Sequence, residues 1–476
     1  MKISERINNM AKKQALNPYL PSWEYIPDGE PHVYGDRVYV YGSHDFFNGY
    51  VFCMGDYMCW SAPLDDLGDW RCEGVIYPRT DDPMNHEGKM CLFAPDVTLG
   101  PDGRYYLFYV LDKACIVSVA VCDTPAGKYE FYGYVRYPDG TLLGEKPGDE
   151  PSFDPAVLTE GDVTYLYLGF CGAGDRSRTG SLVTVLQKDM LTVREAPVRV
   201  VPGAEYSAGT GYEGHAFFEA PSIRKVFGKY YFVYSSQVMH ELCYAVSEKP
   251  TGGFEYDGVL VSNCDIGIDS YKPADMPTAY GANNHGGMVE IGGRWFIFYH
   301  RQTNGTWYSR QGCAEPLVHL EDGRFAQVEI TSCGLNGGPL RGEGEYPAYL
   351  ACNLFTDKPS MYVGGDAFPK IIQDGRDGDE EIGYIANIKD TATAGFKYFD
   401  CKGVKAIRVT TRGYAGGKIE VRTTIGGEVL VAIDTPYSNV WETLEAPVSL
   451  SDGVHAIYLT YRGSGNASLK SFELCT

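Results

Sequence analysis

A short strand-forming pattern occurs five times in the first two thirds of the chain. Each copy begins with a tight turn and continues with aromatic and β-branched residues, which favour pleated, half-buried strands. The copies are GDRVYVYGS (35–43), DGRYYLFYV (102–110), GDVTYLYLG (161–169), FGKYYFVYS (227–235) and GGRWFIFYH (292–300). Their turn residues, Asp36, Gly103, Asp162, Gly228 and Gly293, lie 67, 59, 66 and 65 residues apart. This regular spacing predicts a five-bladed β-propeller over residues 17–335 rather than one large sandwich with similar hairpins.

The sequence changes character after Thr331. The stretch CGLNGGPLRGEGEYPAY is rich in Gly and Pro, so residues 336–350 are predicted to be a linker. Residues 351–476 carry short alternating segments such as KAIRVTTRG and VHAIYLTYRG, which predict a second domain, a β-sandwich of the jelly-roll kind. Residues 1–16 are predicted to be an N-terminal extension. The expected fold class is therefore all-β.

Charge and cysteine usage limit the classes of partner. The chain has a net charge of −21, which argues against nucleic acid, whose binding depends on Lys and Arg replacing counterions, and against anionic membranes. The 14 cysteines are scattered, often inside apolar runs such as YLYLGFCG, which favours reduced thiols over a disulfide framework. The first residues, MKISERINNMAKKQAL, contain no apolar signal-peptide core. We therefore expect a cytoplasmic protein.

An ionisable residue precedes every copy of the repeated strand at nearly the same distance. Asp28, Asp154 and His285 lie eight residues before the turn residue, Asp96 lies seven before it and Glu219 nine before it. Rotation about a propeller axis relates such positions, so these side chains should converge on one pocket. Carboxylates that lie close together raise one another's pKa. Fold stability does not require such a group of acids, whereas acid and base catalysis uses it. Glycoside hydrolysis is the reaction that paired carboxylates serve most naturally.

The motifs around these residues resemble glycoside hydrolase family 43 in content and order. They are PDGEPHVYGDRVYVYGSHD, FAPDVTLGPDGRYYLFY, SFDPAVLTEGDVTYLYL, FEAPSIRKVFGKYYFVYSS and NNHGGMVEIGGRWFIFYHR. The family contains five-bladed propeller enzymes, including α-L-arabinofuranosidases and β-D-xylosidases, and the resemblance covers residues 17–335. It implies an inverting mechanism with Asp28 as general base, Asp154 as the group that modulates the acid's pKa, and Glu219 as general acid.

The resemblance also implies roles for residues around the acids. Asp96 would contact or support the substrate, although an aspartate in such a turn also caps loops. His285 matches a histidine facing an axial calcium ion or water cluster, while a buried structural histidine is the alternative, since one His with water makes no strong calcium site. Arg301 resembles an arginine that contacts sugar hydroxyls. Because the chain reads Asp-Gly-Glu-Pro where the family has Asp-Pro, Glu30 competes with Asp28 as base.

Some aromatic and histidine residues have two interpretations. Trp60, Trp70, Trp295 and Trp307 could each stack on a sugar, but most propeller aromatics pack between blades. His86 and His215 lie in long segments that either line a sugar subsite or remain on the surface.

The C-terminal segment resembles carbohydrate-binding module family 6. The similarity lies in GYAGGKIEVRTTIGGEVLVAIDT, NVWETLEAPVSLSDGVHAIYLTYRG and GNASLKSFEL. In such modules an aromatic pair and an Asn hold the sugar. Trp441 and Asn466 match these positions, with Tyr414 as a further aromatic candidate, although many appended modules only brace the enzyme.

Together these patterns predict an exo-acting glycosidase that removes terminal pentose residues from plant-derived oligosaccharides. We expect α-L-arabinofuranosidase activity, with β-D-xylosidase or another furanosidase of the same fold as the alternative. A non-catalytic glycan-binding protein is the alternative from a different class. The enzyme should need no cofactor, although the propeller axis could hold Ca²⁺.

Overall fold

The computed structural model describes residues 12–362 and 367–476. Over these residues the chain is built mainly from β-strands, which form five small sheets in succession and then a second, larger β-rich domain. The predicted all-β fold class and five-bladed propeller are therefore confirmed. No helix in the described part of the chain is long and apolar enough to span a membrane.

Blades 1 to 4 are antiparallel sheets of four strands in chain order. Blade 1 contains β1 (Glu30–Tyr34), β2 (Arg37–Tyr41), β3 (Tyr57–Pro63) and β4 (Arg71–Tyr77). Blade 2 contains β5 (Asp96–Leu99), β6 (Tyr105–Val110), β7 (Val117–Cys122) and β8 (Glu130–Tyr134). Blade 3 contains β9 (Ala156–Glu160), β10 (Val163–Leu168), β11 (Gly180–Leu186) and β12 (Val193–Pro202). Blade 4 contains β13 (Phe217–Val226), β14 (Lys229–Ser236), β15 (Glu241–Ser247) and β16 (Glu255–Ser262).

Blade 5 is completed by the start of the described chain. Its sheet contains β17 (Met288–Ile291), β18 (Arg294–Arg301) and β19 (Gln311–Pro316), followed by a small hairpin of β20 (Val318–His319) and β21 (Phe325–Ala326). Alongside β19, the Tyr19 amide donates to the Gly312 carbonyl at 3.2 Å. The Asn17 side chain bonds both the amide and the carbonyl of Ala314, at 3.0 and 2.9 Å. The segment before blade 1 therefore closes the ring.

The repeated strand is the second strand of each blade. Its side chains point alternately to the two faces of the sheet, and both faces pack against neighbouring blades. Val40 packs in a core with Phe298 of blade 5, whereas its neighbour Tyr41 packs with Tyr109 of blade 2. Successive side chains of a strand point to opposite faces, so one strand supplies two interblade cores. Similar cores join blades 2 and 3, 3 and 4, and 4 and 5. In the turn before β18, Gly293 has a φ of +81°, which favours glycine.

The second domain is one continuous sheet of ten strands around its own hydrophobic core. Its strands are β22 (Leu340–Arg341), β23 (Gly344–Pro347), β24 (Asn353–Phe355), β25 (Lys370–Ile372), β26 (Tyr384–Ile388), β27 (Thr393–Cys401), β28 (Ala406–Arg422), β29 (Val431–Asp434), β30 (Tyr437–Pro447) and β31 (Gly453–Cys475). The long β28 and β31 pair over seventeen residue pairs and take different neighbours along their length. Within the segment expected to be a linker, β22 pairs with β27 and β23 with β31.

Polar contacts join the second domain to the propeller. Buried Lys397 of β27 contacts Asp265 at 3.3 Å and Glu329 at 2.8 Å. At another point, the Phe47 amide donates to Asp377 at 3.0 Å. Five short 3₁₀ helices complete the described structure, at Arg79–Asp81, Pro83–Asn85, Ala204–Tyr206, Gly334–Asn336 and Ala348–Leu350.

Candidate active site

A pocket of about 230 Å³ is lined by the three predicted catalytic carboxylates, Asp28, Asp154 and Glu219. These residues lie at or just before the innermost strands of blades 1, 3 and 4. The three residues come together because the inner strands of different blades start at the same end of the ring. The convergence predicted from the repeat spacing is therefore present in the structure for these three residues.

Asp28 is held by a dense set of polar neighbours. Its Oδ1 accepts from Arg310 Nη1 at 2.8 Å, and its Oδ2 accepts from the Ser43 hydroxyl. His300 Nδ1 lies 3.3 Å from both the Asp28 amide nitrogen and Oδ1. Asp28 also has a φ of +56°, an uncommon conformation for a residue other than glycine. The backbone turn and these contacts together orient the carboxylate in the pocket.

The electrostatic surroundings of Asp28 favour its charged form. Burial acts to raise the pKa of Asp28, but the Arg310 guanidinium and the His300 hydrogen bond outweigh it and hold the pKa well below its usual range. Arg310 is itself fixed by Asp45, which it contacts through Nε at 2.7 Å and Nη2 at 3.0 Å. Asp28 is therefore ionised throughout the pH range of ordinary enzymes, as a general base must be.

Glu219 and Asp154 are in the opposite electrostatic state. Burial, reinforced by the negative charge of Asp28, raises the pKa of Glu219 to about 7. Burial and the charges of Glu219 and Asp28 raise the pKa of Asp154 well above its usual range, although Asp154 Oδ2 accepts from the Ala220 amide at 3.2 Å. A proton is thus retained in this pair of carboxyls near neutral pH, which is what a general acid needs.

His285 lines the pocket between the acids. Its Nδ1 lies 3.8 Å from Asp28 Oδ1 and 3.7 Å from Asp154 Oδ2. Burial lowers the pKa of His285 to about 4, although the charge of Asp28 works against this shift. His285 is therefore a neutral, buried side chain at neutral pH, able to hydrogen bond a substrate or the acids.

The rest of the pocket wall is strongly apolar. Four phenylalanines stand in a row, with ring centroids 5.5 Å apart for Phe93 and Phe153, 5.1 Å for Phe153 and Phe170, and 5.2 Å for Phe170 and Phe218. Phe52, Met239 and Trp307 also line the pocket. Of the four tryptophans considered for stacking, Trp307 is thus the one placed in this pocket.

Two residues predicted at the site lie below it, in an axial cluster formed by Glu30, His32, Asp96 and Arg224. Asp96 is fully buried and bonds His32 Nε2 at 2.7 Å and the Val157 amide at 2.8 Å, so it supports three blades and does not line the pocket. Glu30 accepts from Arg224 Nη2 at 2.7 Å. The geometry therefore favours Asp28 over Glu30 as base.

Arg301 was predicted to contact the sugar, but it does not line the pocket. Arg301 faces Ala279, Tyr280 and Phe368 near the second domain, and it donates to the Ala351 carbonyl at 3.2 Å. Its neighbour His300 points to Asp28, and adjacent strand residues face opposite sides. The arginine in the pocket is instead Arg310.

The sugar-binding residues expected in the second domain are not grouped as predicted. Trp441 packs against Tyr384, with ring centroids 5.2 Å apart, and against Arg412 at 4.2 Å. Exposed Asn466 instead lies opposite Tyr414 in the sheet register. The Tyr414 ring contacts the Tyr437 ring in a tilted arrangement, at a centroid distance of 5.0 Å.

The donor set around the axis does not fit a calcium ion. Ca²⁺ takes six to eight oxygen ligands, whereas His285 faces two carboxylates of which Asp28 is already paired with Arg310. The axial cluster likewise contains the Arg224 guanidinium, which lies 2.7 Å from Glu30 and 3.4 Å from His32. At both places a guanidinium already neutralises the carboxylate that a calcium ion would need.

The polar neighbours Ser43, His300 and Arg310 were not found from the sequence. The repeat spacing points to residues before each inner strand, whereas these three lie at the end of a second strand or just before a third. In an antiparallel blade these positions come to the same end as the start of the inner strand. Polar residues at the ends of the repeated strand, such as Ser43 and His300, are therefore the sequence feature that could have identified the neighbours of Asp28.

A pocket at the centre of a propeller, with one ionised and one protonated carboxyl, defines a hydrolase site for acid and base chemistry. The family model for glycosyl hydrolases family 43 matches residues 25–325. A xylosidase/arabinosidase of Thermoclostridium stercorarium is 66% identical over 471 residues, which cover 98% of this chain and all of that one. The chain belongs to glycosyl hydrolases family 43 and is a glycoside hydrolase, as its resemblance implied.

Solved structures extend the comparison. A family 43 arabinoxylan arabinofuranohydrolase from Bacillus subtilis, in complex with cellotetraose, matches 98% of this chain and 99% of its own, with 21% identity and a TM-score of 0.53. A family 43 β-xylosidase/α-arabinofuranosidase from a compost metagenome, in complex with xylotriose and in a calcium-free form, matches 67% of this chain and 99% of its own, with 26% identity and a TM-score of 0.52. The first of these likenesses shows that the two-domain fold is shared.

Proposed function

We propose that the protein is an inverting exo-glycosidase that removes terminal pentose residues, α-L-arabinofuranose first among them, from plant-derived oligosaccharides. The single observation that carries the mechanism is the opposite protonation of two carboxyls in one pocket. The pKa of Asp28 is held below its usual range, while that of Glu219 is raised to about 7. Pairs of carboxyls whose environments separate their pKa values mark a base and an acid.

In this mechanism Asp28 takes a proton from a water molecule, which attacks the anomeric carbon. Glu219 donates its proton to the leaving glycosidic oxygen, so the bond to the aglycone breaks as the bond to water forms. Asp154 forms with Glu219 the pair of carboxyls that retains a proton, and whenever Asp154 carries the charge of this pair it helps to keep the proton on Glu219. Asp154 Oδ2 also accepts from the Ala220 amide next to Glu219. An inverting pair needs a carboxyl separation of about 6.5 to 9.5 Å, which leaves room for the water.

The pocket supports the choice of a small terminal sugar. Its volume of about 230 Å³ suits one sugar ring rather than several. The phenylalanine row and Trp307 offer few hydrogen-bond partners, which favours a pentose over a hexose, since a pentose has one hydroxyl-bearing carbon fewer. The xylosidase/arabinosidase name of the 66% identical relative agrees with this substrate class, and β-D-xylosides are the competing substrate.

The decisive test compares aryl α-L-arabinofuranoside, β-D-xyloside and β-D-galactofuranoside side by side. We expect the highest kcat/KM on the arabinofuranoside. Proton NMR of the first product should show the anomer opposite to that of the substrate. Retention of configuration, or hydrolysis confined to internal bonds of a polymer, would refute the proposal, and absence of turnover on every glycoside would favour a non-catalytic glycan-binding protein.

We propose that the second domain binds glycan through Tyr414, Tyr437 and Asn466. Tyr414 is 61% exposed and Tyr437 77% exposed, which is unusual for large aromatic side chains. The three residues are neighbours on β28, β30 and β31, and aromatic faces with a nearby amide are suited to sugar rings. Tyr437→Ala should weaken retention on soluble arabinoxylan in affinity electrophoresis, without changing turnover of an aryl glycoside. Val440→Ala, at another exposed site on β30, is the matched control.

We also propose that the protein acts in the cytoplasm. All fourteen cysteines are unpaired, and nine of them are buried. Such thiols suit a reducing compartment. Fractionation of the native host, followed by immunodetection, would test this location, and recovery in the culture medium would refute it.

A further inference from the structure

Two groups of three metal-ligating side chains converge in the part of the chain that the structure describes. One is the trio Glu30, His32 and Asp96 of the axial cluster. The other, here called the blade 4 trio, consists of His215, Glu241 and Cys243. In each group the candidate ligand atoms all lie within 4.8 Å of one another.

The two groups differ in whether a cation is already present. Arg224 lies against the axial trio, 2.7 Å from Glu30. Glu241 of the blade 4 trio forms an ion pair only with His215 among the described residues, and neither Lys nor Arg contacts it. The blade 4 trio therefore offers an imidazole, a carboxylate and a thiol with no built-in guanidinium or ammonium. This is the donor set of a metal that accepts nitrogen, oxygen and sulfur together.

The distances within the blade 4 trio approach one face of a tetrahedron. His215 Nδ1 lies 2.6 Å from Glu241 Oε1, Cys243 Sγ lies 3.3 Å from the same oxygen, and Sγ lies 3.9 Å from Nδ1. Tetrahedral zinc, with bonds of about 2.0 to 2.3 Å, places its ligand atoms roughly 3.3 to 3.6 Å apart. To form a zinc-binding face, the distance between His215 and Glu241 must lengthen by about 0.7 Å and the other two distances must change by about 0.3 Å or less. We propose that His215, Glu241 and Cys243 bind a Zn²⁺ ion.

The surroundings of the trio hold two of its members in place. The His215 ring stacks on Tyr256, with centroids 5.0 Å apart and planes at 12°. The Ser236 hydroxyl donates to Glu241 Oε1 at 2.6 Å. Such outer contacts orient metal ligands and strengthen binding. The His215 side chain is 38% exposed, whereas Cys243 is fully buried, so the open fourth position, suited to water, faces solvent.

The position of the trio gives the ion a structural role beside the catalytic pocket. His215 lies two residues before β13, the strand that carries Glu219, and Glu241 is the first residue of β15. Met239, two residues before Glu241, lines the pocket. A bound ion would tie these two segments together and stabilise that side of the pocket wall, without touching the sugar.

Cobalt substitution tests the site directly. The full chain, stripped with a chelator, is titrated with Co²⁺, and sulfur-to-cobalt charge transfer is followed in the near ultraviolet. We expect saturation at one ion per chain, displacement by Zn²⁺, and loss of the band in Cys243→Ser. The matched control is Cys72→Ser, which changes an exposed cysteine on β4 and should leave the band unchanged.

A second variant keeps the test decisive where Cys243→Ser alters folding. His215→Gln changes a partly exposed side chain and should weaken Zn²⁺ affinity at least tenfold in calorimetry. Zn²⁺ should also raise the Tm of the original protein but not that of His215→Gln. A folded protein without the charge-transfer band, a band that persists in folded Cys243→Ser, or equal Zn²⁺ affinity in His215→Gln would overturn the proposal.

Discussion

Two groups of acidic side chains occupy the centre of the propeller, and they are built for different purposes. Asp28, Asp154 and Glu219 line an accessible pocket. Glu30 and Asp96 lie in the axial cluster, bonded to Arg224 and His32. Four of these five side chains are at least nine-tenths buried and Glu219 is partly buried, so burial alone does not separate the pocket carboxylates from those of the axial cluster.

The two residues that competed for the role of base show where the difference arises. Asp28 and Glu30 are two positions apart, and both are buried. Asp28 precedes β1 and has a φ of +56°, whereas Glu30 is the first residue of that strand. The backbone turn directs Asp28 to the pocket, and the regular strand directs Glu30 to Arg224. The local backbone conformation thus separates a carboxylate in the pocket from one in the axial cluster.

The largest effect should separate these two residues. Asp28→Asn removes the group that activates water, so we expect kcat to fall by about 10² to 10⁴ on every substrate. Glu30→Gln, the matched control in the axial cluster, should lower kcat by less than about tenfold, because Gln keeps the size and the hydrogen bonds. Steady-state kinetics on aryl glycosides measures both. Equal losses would make Glu30 a second candidate for the base.

Glu219→Gln should affect substrates according to their leaving groups. Unactivated oligosaccharides need the proton of Glu219, so their turnover should fall by about 10² to 10⁴, while activated aryl glycosides should lose much less. The decline of kcat/KM as pH rises through about 7 should also disappear. An equal loss on both substrate types, with the decline retained, would contradict the role of Glu219 as acid.

Asp154→Asn should move the pH profile rather than abolish the reaction. Asp154 and Glu219 form a pair of carboxyls that retains a proton, and whenever Asp154 carries the charge of this pair it opposes loss of the proton from Glu219. Removing the Asp154 carboxyl takes away this opposition and so lowers the pKa of Glu219. We expect the alkaline limb of kcat/KM to shift to lower pH, with a rate loss of about tenfold near neutral pH. An unchanged limb would remove Asp154 from this role.

Arg224→Met should act on stability. It leaves the buried carboxyl of Glu30 without its partner, so we expect a loss of about 3 kcal/mol in the free energy of unfolding. The kcat of the folded variant should stay within about tenfold, because Arg224 does not line the pocket. Denaturant unfolding, with kinetics on the same preparation, checks both statements. A large kcat loss at unchanged stability would show that the axial cluster belongs to the catalytic machinery.

The smallest effect concerns the stability of the pocket itself. A carboxyl whose folded pKa is raised, here from 4.5 to about 7 in Glu219, stabilises the fold in its neutral form. This contribution is fully present below the ordinary value and is lost as pH rises through about 7. Glu219→Gln should therefore raise the Tm more at pH above 7 than in acid. An equal Tm difference at both pH values would contradict the raised pKa.

Much of the fold was predictable because it repeats. The five copies of one strand pattern located the second strand of every blade, and the alternation within each copy determined which residues enter the interblade cores. The closure of blade 5 by Asn17 and Tyr19 was not predictable, because it joins residues almost 300 positions apart. The pairing of β22 with β27 and of β23 with β31 was not predictable for a different reason, because the Gly and Pro residues of this segment conceal two short strands.

The convergence of the three pocket carboxylates was predictable for a related reason, and their neighbours were not. Asp28, Asp154 and Glu219 occupy equivalent positions in a rotational repeat, so sequence spacing alone implied that they meet. His300 lies on β18 and Arg310 just before β19 of blade 5. The assignment of Arg301 failed because a shift of one residue on a strand reverses its face. The sequence thus determined the ring, its acids and the family. Only the tertiary structure decided which carboxyl is ionised, because pKa values depend on burial and on charges that distant segments bring within a few ångströms.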